Sequence, residues 1–242
     1  MRMKWWLLIT LAMAPLAALG EEVAGASPRN FYFEAKVSYY MPFIDAGYAS
    51  PGPFASAFKS DFMWLGEAEL EYQVFQKFGS LAVGLSVGYA EKYGKAVFER
   101  TGNTSSEVTG LHLIPVKVLA VYRFDWLNLK HSIPLIPYVK VGPAFIPWWV
   151  TKGPDLEIVD GKKGVGVKPG LAAVLGLAIN LDFLDRRLAR DFDSSVGINH
   201  SYLFAEWTIQ DTLLFDQVFN PSNSKPLNLS SRHFDFGLGL EF

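Results

Sequence analysis

Apolar residues recur at every second position in eight separate stretches, and no feature constrains the fold more. A strand puts successive side chains on opposite faces, so this spacing reads as a two-faced strand each time. The first stretch sets Phe31, Phe33, Ala35, Val37 and Tyr39 against Tyr32, Glu34, Lys36 and Ser38. The second sets Trp64, Gly66, Ala68, Leu70, Tyr72 and Val74 against Leu65, Glu67, Glu69, Glu71 and Gln73. The third sets Leu81, Val83, Leu85, Val87 and Tyr89 against Ser80, Ala82, Gly84, Ser86 and Gly88. The fourth sets Ile114, Val116, Val118, Ala120, Tyr122 and Phe124 against Pro115, Lys117, Leu119, Val121 and Arg123. In the fifth, Val139, Val141, Pro143 and Phe145 oppose Tyr138, Lys140, Gly142 and Ala144. In the sixth, Leu171 to Leu181 in steps of two oppose Gly170 to Asp182. The seventh sets Val196, Ile198, Tyr202 and Phe204 against Gly197, Asn199 and Ser201. The eighth sets Phe234, Phe236, Leu238, Leu240 and Phe242 against Asp235, Gly237, Gly239 and Glu241.

One face is large and apolar; the other is small, with a few ions. A small face suits the interior of a narrow barrel, which leaves the apolar face to lipid. A soluble carrier barrel would need the reverse. Aromatic residues gather at the strand ends: Tyr39, Trp64, Tyr89, Trp148, Trp149 and Trp207 at one, Tyr72, Phe78, Tyr122, Phe124, Trp126, Phe183 and Phe242 at the other. Two such girdles mark the two interfaces of a membrane. The connections alternate as well. Met41–Phe62, Glu91–Gly110, Val150–Val165 and Glu206–Ser230 are long; Gln76–Gly79, Asp125–Pro134 and Phe183–Asp193 are shorter.

The N-terminus reads differently. Arg2 and Lys4 precede an apolar run from Trp5 to Ala18, and Ala18-Leu19-Gly20 offers small residues before Glu21-Glu22. This predicts a signal peptide over 1–20, cleaved after Gly20, and a barrel over 21–242. Composition excludes several classes. The 242 residues are 50% hydrophobic, too apolar for a disordered chain, and a net charge of -2 offers no basic field to nucleic acid. The absence of Cys removes disulfides, thiolate metal sites, a Cys nucleophile and lipoprotein acylation. A secreted chain without Cys suits the Gram-negative envelope.

The stretch Phe234-Asp-Phe-Gly-Leu-Gly-Leu-Glu-Phe242 resembles the C-terminal strand of Gram-negative outer-membrane proteins. The resemblance extends, as a pattern, over the whole chain after residue 20, to the small barrels of the OmpA, OmpX and OmpW type. It implies that Phe234, Phe236, Leu238, Leu240 and Phe242 form the signal read by the barrel-assembly machinery. It also implies residence in the cell outer membrane among lipid and lipopolysaccharide. Relatives of this type serve as anchors, adhesion or serum-resistance factors, or narrow channels for small apolar molecules.

Motifs for catalysis are weak. Gly84-Leu-Ser86-Val-Gly88 has the spacing of a nucleophile elbow, but sits inside an alternating strand where that sharp turn cannot form. His200 and Ser201 are adjacent and so point to opposite faces, with His200 on the lipid-facing row. Asp155-Leu-Glu157-Ile-Val-Asp160 lacks the spacing of a calcium loop. Asn103-Thr-Ser and Asn228-Leu-Ser match glycosylation acceptors that a bacterial envelope does not use. No phosphate-binding Gly loop or paired His ligands are present, so no catalytic residue, metal or cofactor is expected. The inward ions form the main constellation: Glu34, Glu67, Glu69, Glu71, Asp182, Asp235 and Glu241 facing Lys36, Lys117, Arg123 and Lys140. Charges inside a narrow lumen must pair or stay wet.

The sequence therefore predicts an all-β fold: an eight-stranded antiparallel transmembrane β-barrel, monomeric, non-enzymatic, its lumen filled by an ion network. The expected role is structural or surface-interactive, with a narrow channel for small apolar molecules as the second reading. A lipid-modifying barrel enzyme is the third, and would need a same-face His–Ser or His–carboxylate set.

Overall fold

The computed structural model describes residues 30–76, 78–95, 106–131, 133–159, 161–182, 184, 195, 197–214 and 227–242. The expected signal peptide, Phe183, Asn103 and Asp160 lie outside them. Eight staves run along the chain: β1 (Phe31–Tyr40), β2 (Met63–Gln76), β3 (Ser80–Gly94), β4 (Thr109–Leu113 and Val116–Arg123), β5 (Leu135–Lys152), β6 (Val165–Asn180), β7 (His200–Asp211) and β8 (Ser231–Glu241). Each pairs antiparallel with the next, and β8 pairs with β1, so the ring closes without an open edge. Among the described residues no helix is long and apolar enough to cross a membrane.

β4 is interrupted at Ile114–Pro115 because proline has no N–H to give the ladder. Its register against β3 and β5 is the same on both sides of the break. Ile114 N donates instead to Pro147 O (2.9 Å), and Pro115 O accepts from Gly88 N (2.8 Å).

The alternation sorts the side chains as the period demands. Val37, Leu70, Leu85, Val118, Val141, Leu175, Leu203 and Phe236 face outward, while their neighbours are buried inside. An apolar belt around a closed ring with a polar, ion-bearing interior inverts the soluble arrangement. It is the pattern of a transmembrane barrel, in which every backbone polar group is satisfied within the wall.

Three expectations are corrected. The seventh strand has the opposite phase from the one predicted: Tyr202 and Phe204 point inward and are buried, while Leu203 and Trp207 face outward. Their partners explain why bulk fits inside. Tyr202 pairs with Gly239 and Phe204 with Gly237, so the rings fill space that β8 leaves empty. The link before that strand is also longer than Phe183–Asp193, because β6 ends at Asn180 and β7 begins at His200. Trp148 leaves the girdle as well: it packs inward against the core, and only Trp149 of that pair faces out.

At the end opposite the termini, the segment between β1 and β2 folds a short helix, α1 (Pro53–Phe58), into the barrel mouth. Asp45 holds its first turn, accepting from Phe54 N (2.6 Å) and Ala55 N (2.9 Å). Gly52 is required there, since a Cβ would lie 2.4 Å from the Asp45 carboxyl group. Phe54 is thereby buried among Tyr40, Met63, Leu65, Leu111, Leu113 and Ile146.

Candidate functional site

Below that apolar storey the lumen is ionic. Glu34 and Lys36 project inward from β1, Glu67, Glu69 and Glu71 from β2, Lys117 and Arg123 from β4, and Lys140 from β5. The structure adds Glu206 from β7, which is absent from the set expected from sequence. Glu206 was hidden by the reversed phase of its strand; the alternation Tyr202, Phe204, Glu206, Thr208 on one face was the available signal.

Lys36 Nζ lies 2.8 Å from Glu69, 2.8 Å from Glu206 and 3.5 Å from Glu34. Lys140 Nζ lies 2.5 Å from Glu34, 2.9 Å from Glu206, 3.1 Å from Glu69 and 3.2 Å from Glu71. Arg123 forks onto Glu71, at 2.6 Å through Nη2 to Oε1, and reaches Glu34 at 3.0 Å. Its guanidinium also stacks 3.8 Å above the Tyr32 ring. Lys117 pairs with Glu67 at 2.7 Å. Tyr138 OH donates to Glu206 at 3.0 Å. All of these charged groups are buried. Ions so placed are held by one another, because removing one partner leaves the rest desolvated and uncompensated. The carboxylates of Glu34, Glu69 and Glu71 approach within 4.8 Å of one another, a spacing that would suit a cation. The Lys140 ammonium serves as that cation.

Three of the sequence-predicted ions stand apart from this knot. Asp235 is buried nearer the α1 end and accepts from Ser38 (2.5 Å) and Thr208 (2.6 Å), with His233 at 3.6 Å. Glu241 is buried at the terminus end and accepts from Gln73 (2.7 Å) and Tyr202 (2.8 Å). Asp182 leaves the lumen set altogether. It sits half-buried at the rim just past β6 and pairs with His200 Nδ1. That contact accounts for His200, which belongs to the inward row of β7 and not to the lipid face. Ser86, the centre of the elbow-like motif, lies mid-strand on β3, facing inward with no exposure. Of the assembly-signal residues, Phe234, Phe236 and Leu238 are outward and exposed on β8. Phe242 closes the seam with β1: its carbonyl accepts from Phe31 N at 2.7 Å, and its N–H donates to Phe31 O at 2.9 Å.

A closed ring of eight antiparallel strands, an outward apolar belt and an ion-filled interior define a small outer-membrane β-barrel, and the protein resides in that membrane. No family model matches the sequence, and no curated protein matches it significantly. Solved structures similar to it are themselves outer-membrane barrels. The outer membrane protein OprG from Pseudomonas aeruginosa is 10% identical, with 91% of this chain and 99% of that one covered and a TM-score of 0.48. Neisserial surface protein A is 14% identical, covering 90% and 99%, with a TM-score of 0.46. Ail, the attachment invasion locus protein of Yersinia pestis, is 12% identical, covering 88% and 97%, with a TM-score of 0.41.

Proposed function

We propose that the protein is a structural and surface-interacting barrel whose lumen does not conduct, with the α1 end turned to the cell exterior and the terminus end to the periplasm. The observation that carries this reading is Lys140, which meets carboxylates from β1, β2 and β7 at one point inside the ring. Eight strands leave an interior just wide enough for side chains to fill. Function then falls to the long connections at the exterior end. In this reading residues 1–20 are removed on export, the β8 pattern ending at Phe242 is read by the assembly machinery, and the barrel stands as a monomer among lipid and lipopolysaccharide. The reading is not enzymatic. A same-face His–carboxylate set does exist, His112 with Glu91, but the β4 backbone beside it is committed to the ladders with β3 and β5. Among the described residues this leaves no amide pair beside His112 to receive an oxyanion.

Planar-bilayer recording tests the proposal. The unmutated barrel is expected to stay silent, and Arg123→Ala or Lys117→Ala to destabilise it or raise a small conductance. A steady, sizeable conductance of the unmutated barrel, unchanged by neutralising Lys117, Arg123 and Lys140, overturns it. The apolar lining that Phe54 plugs at the α1 end favours a second reading, a narrow channel for small apolar molecules.

A further inference from the structure

The outer wall carries a polar set that a lipid-facing surface does not need. Glu91, His112 and Trp149 lie directly opposite one another on β3, β4 and β5, and Tyr93, Gly110 and Thr151 form the next row toward the loops. Leu111 and Leu113 pack into the lumen, so His112 and Gly110 face out. Ionisable groups are rarely left on such a wall without a task.

The hydrogen bonds assign the imidazole's tautomer. Tyr89 OH donates its one proton to Glu91 Oε2 (2.8 Å), and Tyr93 OH donates to the same oxygen (3.1 Å). The Tyr89 oxygen, 3.0 Å from His112 Nδ1, must therefore accept from it. In the neutral ring Nε2 is then an acceptor. The ring is only 6% exposed, stacked on Trp149 at 4.9 Å and met edge-on by Tyr93 at 5.5 Å. Nε2 has no partner among the described residues, nor has Thr151 Oγ1 or Glu91 Oε1. Gly110 lets them gather: a Cβ there would lie 2.6 Å from Thr151 Oγ1, 2.9 Å from Tyr93 Cε1 and 3.0 Å from His112 Nε2.

We propose that this patch binds the saccharide headgroup of a glycolipid in the outer leaflet. The unused groups are two acceptors and a hydroxyl, flanked by Tyr89, Tyr93 and Trp149, whose rings can stack on a sugar. Hydroxyl donors satisfy that set. An anionic phosphate does not, because the Glu91 carboxylate, 44% exposed, repels it. The lipid belt continues directly beneath, with exposed Leu85, Val87, Val118 and Phe145 on the same three strands, so acyl chains seat below the headgroup. The proposal rests on the reading that the α1 end lies in the outer leaflet.

The test uses the full barrel in phosphatidylcholine nanodiscs carrying either digalactosyl diacylglycerol or phosphatidic acid, with retained lipid counted by native mass spectrometry. The unmutated barrel is expected to retain the galactolipid and not phosphatidic acid. Glu91→Gln, Thr151→Val and Gly110→Ala should each lower retention, by roughly tenfold where a charged partner is lost. Gly66→Ala, on the same outer face with nothing within 4 Å of the new methyl, should leave it unchanged. Equal retention of both lipids, or indifference to all three patch variants, overturns the proposal. Each variant is first checked for the gel shift between unboiled and boiled forms. A barrel that shifts and inserts but holds no galactolipid sinks this proposal alone. A barrel that neither shifts nor inserts sinks the membrane reading with it.

Discussion

Lys140 of β5 holds Glu34 of β1 at 2.5 Å, although these strands stand half-way round the ring from each other. The pair spans the lumen at its widest separation in strand order. Arg123 and Lys36 reinforce it from β4 and β1, each within 3.5 Å of the same Glu34. The barrel is thus tied through its middle as well as along its wall.

Lys140→Met should be strongly destabilising, by about 3–5 kcal/mol, since it leaves the four buried carboxylates Glu34, Glu69, Glu71 and Glu206 with only Lys36 and Arg123 to balance them. The urea midpoint of the refolded barrel measures this. For the separate Lys117–Glu67 pair, the double variant Lys117→Met with Glu67→Gln should lie closer to the unmutated protein than either single change. Removing both charges leaves no buried ion without its partner.

Adjacent residues on β3 should respond in opposite ways. Leu85 is 51% exposed on the lipid side, and Leu85→Arg should cost about 2–4 kcal/mol in a vesicle-folding assay. Ser86 is fully buried and its hydroxyl has no partner among the described residues, so Ser86→Ala should fold as well as the parent or slightly better.

The reversed phase of β7 is tested in the same assay. Leu203→Arg should block insertion. Tyr202→Phe should insert normally while losing the bond to Glu241, worth about 1.5–3 kcal/mol for a charged acceptor. The opposite ranking would restore the phase expected from sequence.

Phe54→Ala should open the apolar storey. Uptake of an uncharged dye such as Nile red, absent in the parent, is the expected readout. An unchanged fluorescence would mean that neighbouring side chains collapse into the space.

The strands with strict alternation were legible because a two-residue period leaves no choice of face: Leu85 and Ser86 fall where the pattern put them. The β7 phase was not, since the size of an aromatic side chain does not by itself say whether it faces lipid or a gap in the lumen. Tyr202 and Phe204 fit inside only because Gly239 and Gly237 lie beside them on β8, a relationship of register between distant segments. The same limit hid the outer patch. Glu91, His112 and Trp149 become neighbours through two ladders, and nothing in their spacing along the chain announces it. The α1 helix escaped notice because one buried Phe54 decides its placement, too short a signal for periodicity to detect.

The seam between β1 and β8 has a consequence in time. Tyr32 pairs with Glu241, so the first strand to be made must wait for the last. Until β8 exists, β1 and β7 each keep an unsatisfied flank, and a nascent chain has no stable partial form in lipid. Closure is a single late event, and synthesis interrupted before Ser231 yields a ribbon with two adhesive borders in place of a smaller barrel.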